Sequence, residues 1–201
     1  MKKQRLFLLS GVGLMIIGLL LALPTIMQYR DSKGVPTLTQ SPFTPQTAQA
    51  APSATPPQEP TETYVEGKPT RIQIPSLNID LPVVDGYYNE QSQKWTLSNN
   101  KVHYAVATPQ ANNRAGNTFL YGHNRKEVFK TLAKVQLGAE VLVTTDNGHV
   151  FVYTFKGAYE TDPTDGSVFK YQGAPMLTIQ TCSGVWYENR QLFTFDLKEI
   201  R

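Results

Sequence analysis

A chain of 201 residues with 19 basic and 16 acidic side chains suits one domain with accessory segments. The excess of positive charge sits mostly near the N-terminus: residues 70–201 hold 13 Lys and Arg against 12 Asp and Glu, so no concentrated basic face marks a nucleic-acid reader. A single cysteine, Cys182, excludes an intramolecular disulfide framework.

In chain order, Leu6–Met27 comes first, 22 residues without a charge. As a helix it would span about 33 Å, close to the hydrocarbon thickness of a bilayer. A secretory signal is shorter and is cleaved soon after its apolar run. The nearest Ala-x-Ala is Ala48-Gln49-Ala50, so the run reads as an uncleaved anchor. Lys2, Lys3 and Arg5 ahead of it favour an inside N-terminus, although Arg30 and Lys33 on the other flank pull against that orientation. Residues 1–30 are therefore expected to be a cytoplasmic stub with a single-pass anchor in the cell membrane, and the remainder to be extracellular. Residues 31–69 hold 8 of the 14 prolines and few large apolar side chains. Such a stretch buries too little surface to offset its ordering entropy, and reads as a disordered, semi-extended tether.

Residues 70–201 then form the candidate domain. Thr70–Pro75 and Ile79–Val84 carry β-branched residues between turn formers, Lys94–Leu97 is a further short strand, and Asn117–Asn124 has an apolar centre. Glu127–Gly138 is the best helix, with Val128, Leu132 and Val135 on one face and Gly138 as its stop. Residues 139–145 and 149–155 flank Asp146-Asn147-Gly148, a strong hairpin signal. Met176–Cys182 and Gln191–Ile200 supply two more strands. Seven or eight short strands with one small helix predict a mainly β fold, a closed or nearly closed barrel, with a sandwich as the second architecture.

His123, Cys182 and Arg190 each fall at a strand end, where a rigid scaffold displays reactive groups. A thiol attacks carbonyls as the thiolate. A histidine beside it stabilises that form and protonates a leaving amine. An arginine stays cationic and presents a planar fork to a developing oxyanion. The three types make a complete acyl-transfer set, although each alone has a commoner role: a lone cysteine is usually a small buried hydrophobe and a lone arginine a solvated charge. His149 sits beside the hairpin turn and reads as solvated, whereas spacing does not rank His103 below His123. With ordinary pKa values near 8.5 and 6.5, a thiolate–imidazolium pair at pH 7.5 would be about one per cent populated.

The residues "GNTFLYGHN", "TIQTCSG" and "ENRQLFTF" together resemble the sortase family, which carries a Thr-Leu-x-Thr-Cys strand, an upstream Gly-His and an Arg shortly after the Cys. Ile179 stands where Leu is usual. The resemblance covers about Thr70–Arg201 and implies an eight-stranded barrel with one or two short helices. It also implies a transpeptidase that cleaves a Leu-Pro-x-Thr-Gly-like sorting signal after its Thr through a thioacyl intermediate. The implied partners are protein substrates bearing a C-terminal sorting signal and an amine acceptor from a cell-wall precursor or another protein, with the enzyme anchored in the membrane and no nucleic acid involved. By this resemblance Cys182 is the nucleophile, His123 the general acid/base and Arg190 the oxyanion clamp. Thr181 helps shape the substrate groove, and Asn124 stands beside the histidine as a further substrate contact. Trp186, between Cys182 and Arg190, reads equally as core or as an apolar wall of the groove. No cofactor is implied; calcium held by Glu160, Asp162 and Asp165 is the lesser alternative, since acidic loops are more often solvated. The subtype stays open: the gap Thr161–Pro175 is short, and the tether lacks an Asp-Pro-aromatic lid motif. Two rivals remain. One is another cysteine acyl-transferase of the wall, such as an L,D-transpeptidase, whose Ser-His-Gly-Cys context and nearer Arg fit worse. The other is a membrane-anchored β-barrel binding module without catalysis.

Overall fold

The computed structural model describes residues 36–38, 42–43, 63–183 and 189–201. The expected membrane anchor, most of the tether and Trp186 lie outside the described residues, within which no helix is long and apolar enough to cross a membrane.

Eight strands close into a barrel: β1 (Pro69–Ile74), β2 (Ile79–Gly86), β3 (Val102–Ala105), β4 (Asn117–Tyr121), β5 (Glu140–Thr145), β6 (Val150–Thr161), β7 (Met176–Ser183) and β8 (Asn189–Ile200). Around the barrel the order is β6-β8-β7-β4-β3-β2-β1-β5, and β5 pairs with β6 to close it. Strands β7 and β4 run parallel, as do β2 and β3; the other neighbours are antiparallel. The predicted hairpin joins β5 to β6: Thr145 N–H donates to His149 O at 2.9 Å, and Gly148 takes a φ of 88°, a left-handed conformation that its missing Cβ permits.

Alternation along the strands divides two cores. Ile72, Val143, Phe155, Leu177, Ile179, Phe193 and Phe195 point inward and fill the barrel. Each such side chain contributes about 1.5–3 kcal/mol by leaving water. Phe119, Tyr121, Tyr159, Met176 and Leu192 point outward and form a second cluster on one outer face. That face is covered from two sides. Trp95 stacks on Phe169 at 5.6 Å between centroids and meets Tyr121 edge-on at 5.3 Å. Phe43 packs against Tyr159 at 5.9 Å and Tyr171 at 5.7 Å.

Several expectations are corrected. Glu127–Gly138 is not an α-helix; it holds turns and a 3-10 helix at Lys130–Lys134, while Val128, Leu132 and Val135 are all buried as the pattern requires. Lys94–Leu97 contributes only Lys94–Trp95, paired with Tyr88–Asn89 outside the barrel. Its expected place is taken by β3, which the sequence did not announce. Part of the predicted tether is engaged: Thr37 bridges Ala158 of β6, Leu38 N–H donates to Ala158 O at 2.7 Å, and Ala158 N–H donates to Pro36 O at 2.8 Å. Gly157 makes this approach feasible, since a Cβ there would lie 2.7 Å from Leu38 Cδ2.

Candidate active site

Cys182 lies one residue from the end of β7, and its register partner on β8 is Arg190. Directly opposed residues on antiparallel strands project to the same face with Cβ atoms about 4.5–5.5 Å apart. By the alternation of β7, that face is the outer one, shared with Thr178 and Gln180; Leu177, Ile179 and Thr181 face in. Arg190 is paired on its other side with Thr161 of β6, so its backbone is held in the ladder from both flanks. Its Nη1 also donates to Asn189 O at 3.0 Å. Cys182 and Arg190 are both half-buried, accessible yet framed by the sheet.

His123 follows the end of β4 by two residues, and its neighbours fix it against β7. Gly122 N–H donates to Gln180 O at 3.1 Å, extending the parallel ladder past Tyr121. Asn124 Nδ2 donates to Cys182 O at 3.1 Å. The imidazole-bearing residue is thus bracketed by two hydrogen bonds onto the carbonyls of 180 and 182. His123 O in turn accepts from Phe129 N–H at 3.2 Å, which ties the segment to the buried Val128–Phe129 turn. Burial, and then the charges of Arg125 and His103, hold the His123 pKa below its ordinary value.

His103 pairs with Tyr121 across β3 and β4, and their rings stack at 5.4 Å. It is 1% exposed, and its Nε2 lies 2.9 Å from Ser98 Oγ. Burial is the main cause holding its pKa down. It therefore stands behind the site and not at its surface. His149 remains at the hairpin turn at the end of β5, part of the backbone pairing with Thr145.

The structure brings His123, Cys182 and Arg190 to one end of the outer face of β4, β7 and β8. Asn124 is among them, and its Nδ2 donates to the Cys182 carbonyl. Thr181 is not on the Cys182 face: it is 4% exposed, and its Oγ1 is buried without a partner among the described residues. The acids of the 160–165 loop bond within the protein. Glu160 accepts from Asn189 Nδ2 at 2.6 Å, Asp162 from Thr164 N–H at 2.8 Å, and Asp165 from Thr161 Oγ1 at 2.7 Å. Among the described residues no group of three or more His, Cys, Asp or Glu is placed to hold a metal ion.

A family model described as the Sortase domain matches residues 72–195. The chain belongs to the sortase family. Solved sortases share its fold at low identity. Sortase E1 from Streptomyces coelicolor, whose structure holds a tripeptide in the active site, is 24% identical with a TM-score of 0.53, over 68% of this chain and 90% of that one. Sortase A from Listeria monocytogenes is 20% identical with a TM-score of 0.52, over 65% and 87%. A sortase D5 transpeptidase from Clostridium perfringens is 22% identical with a TM-score of 0.53, over 66% and 79%. No curated protein matches the chain in sequence. Membership makes this sortase a cysteine transpeptidase in kind. The similar structures span several sortase classes, and the class of this one stays unresolved.

Proposed function

We propose that this sortase cleaves a Leu-Pro-x-Thr-Gly-like sorting signal and transfers the acyl portion to an amine. The observation that carries the reading is the direct cross-strand pairing of Cys182 with Arg190, with His123 clamped alongside through Gly122 and Asn124. Cys182 Sγ attacks the scissile carbonyl as thiolate, and an S–C bond forms. Arg190 donates hydrogen bonds to the oxyanion of the tetrahedral species. His123 gives its proton to the departing amine as the C–N bond breaks, leaving a thioacyl enzyme. The acceptor amine then attacks that thioester, His123 takes up the proton lost by the amine, and the S–C bond breaks as the new amide forms.

Thr181 supports the strand from behind through packing. The catalytic residues work without a cofactor. A single-pass anchor at Leu6–Met27, with the N-terminus inside, holds the catalytic domain outside the membrane, where surface proteins and wall precursors meet it. The test is mass spectrometry of the full chain after incubation with Leu-Pro-x-Thr-Gly-like peptides lacking an acceptor amine. One acyl adduct on Cys182 is expected, absent in Cys182→Ala. An adduct elsewhere, or turnover by Cys182→Ala above about one per cent of wild type, contradicts the nucleophile assignment.

A further inference from the structure

Cys182 on β7 has β8, which carries Arg190, on one flank and β4, which His123 follows, on the other. The oxyanion of the tetrahedral species turns to Arg190 and the amine nitrogen to His123, so whatever that nitrogen carries extends past His123, away from β8. Arg125 lies there. Its carbonyl accepts from Val128 N–H and Lys130 N–H, each at 3.0 Å, which fixes its backbone. Its Nη1 donates to Asn99 Oδ1 at 2.9 Å. Asn99 follows Ser98, whose Oγ lies 2.9 Å from Nε2 of His103 on β3, the strand beyond β4. The guanidinium is thus moored on the β3 side of His123. Burial and then the Arg125 charge hold the His123 pKa down, so the two side chains are within electrostatic reach.

Arg125 is exposed, and among the described residues no carboxylate pairs with it, Glu127 included. One donor of its planar fork is used and the others are free among those residues. A fixed guanidinium with open donors and no counter-charge suits a carboxylate, which it can take with two parallel hydrogen bonds. We propose that Arg125, held by Asn99, is a specificity-determining residue for the amine side of the reaction, selecting an amine that bears a carboxylate about one strand spacing, roughly 5 Å, from its nitrogen. The departing amine and the incoming amine occupy the same place at His123, so the carboxylate belongs either to the leaving fragment of the signal or to the acceptor. In transfer, the acceptor nitrogen bonds to the thioester carbon, the S–C bond breaks and the amine proton passes to His123, while Arg125 holds the carboxylate and undergoes no bond change. The inference rests on the transpeptidase reading and names a substrate class for the same site.

The experiment has two arms, both on the full chain. In the first, the thioacyl enzyme formed from a Leu-Pro-x-Thr-Gly-like peptide partitions between paired acceptors at equal concentrations of free amine: glycylglycine against glycylglycinamide, and β-alanine against β-alaninamide. Both members of a pair meet the same thioacyl enzyme, so a changed His123 pKa cancels from the product ratio. In the second, C-terminally amidated Leu-Pro-x-Thr-Gly-Asp and Leu-Pro-x-Thr-Gly-Asn peptides compete for acylation. Wild type should favour the carboxylate about three- to fivefold in at least one arm, the worth of one ion pair at an open surface, and the preference should fade in high salt. Arg125→Ala should bring that ratio to about one, Arg125→Glu should invert it, and Asn99→Ala, which unmoors the guanidinium, should lower it part-way. A preference in the first arm assigns the carboxylate to the acceptor, and one in the second assigns it to the signal. Wild-type ratios near one in both arms, or a preference that survives Arg125→Ala and Arg125→Glu, overturn the inference, while an acyl adduct on Cys182 leaves the transpeptidase reading in place. No adduct with any peptide, from protein whose Cys182 is alkylated by iodoacetamide, overturns the transpeptidase reading and the inference with it.

Discussion

Asn124→Ala separates the placement of His123 from its chemistry. The substitution deletes the Nδ2 donor to Cys182 O and leaves the Gly122–Gln180 bond intact, so one of the two brackets around His123 is lost. A neutral, part-buried hydrogen bond is worth about 1 kcal/mol net, which for a domain of this size lowers Tm by roughly 3–5 °C. The Cys182 carbonyl can recruit water, so the fold should survive. Catalysis should suffer more than stability. Displacing a reacting group by about 1 Å costs on the order of a hundredfold in rate, and with one bracket retained we expect about tenfold. The assay is single-turnover acylation by a sorting peptide, followed beside the thermal unfolding curve. Asn124→Asp, which keeps the shape but turns an oxygen towards the carbonyl, should be at least as slow as Asn124→Ala. Acylation by Asn124→Ala within twofold of wild type, alongside the expected loss in Tm, would refute the argument that this bond positions the histidine.

Arg190→Lys keeps the charge and loses the planar fork, so acylation should fall about a hundredfold, or roughly 3 kcal/mol, with binding of uncleaved peptide less affected; near-wild-type acylation by the lysine variant contradicts the clamp role. The pH profile of kcat/KM gives a third check. Because burial, then Arg125 and His103, depress the His123 pKa, the acid limb should have its midpoint below about 6.5, and Arg125→Ala should move it upward; a midpoint at or above 6.5 in wild type opposes this. The depressed values of His103 and His123 also mean that the unfolded chain binds more protons near pH 6. Stability should therefore fall as pH drops below about 6.5, measurable by denaturant titration, and a flat profile between pH 7 and 5 would contradict the linkage.

Strands bounded by strong turn chemistry were legible in the sequence. Asp146-Asn147-Gly148 located the β5–β6 hairpin, and the β-branched runs located β1, β2, β7 and β8. Strand β3 was not, because Val102, His103, Tyr104 and Ala105 are all buried and show no two-residue alternation. The segment after His123 misled for a different reason. Val128, Leu132 and Val135 have helical spacing, and Phe129 is buried with them, but backbone bonds such as Leu132 N–H to Phe129 O span three residues and not four. At the site, residue types and strand ends offer Cys182 and Arg190 with either His123 or His103, and the choice of His123 comes from the family resemblance. Which face each side chain takes depends on register, and register is not written in a single strand. Thr181, which the family resemblance places in the groove, points into the barrel, and Asn124, expected to meet substrate, braces the Cys182 carbonyl.

The short bridge between Thr37 and Ala158 has a mechanical consequence. A pull along the N-terminal chain would reach this bridge before it reached β1, because residues 36–38 are bonded laterally to β6. The two hydrogen bonds at Ala158 and the aromatic seat of Phe43 would take the load in shear, along the strand that flanks Arg190 through Thr161. A force applied at the N-terminal end would thereby be delivered to the wall of the barrel that carries the reactive end, and the strand at which the barrel begins would be shielded until this fastening gave way.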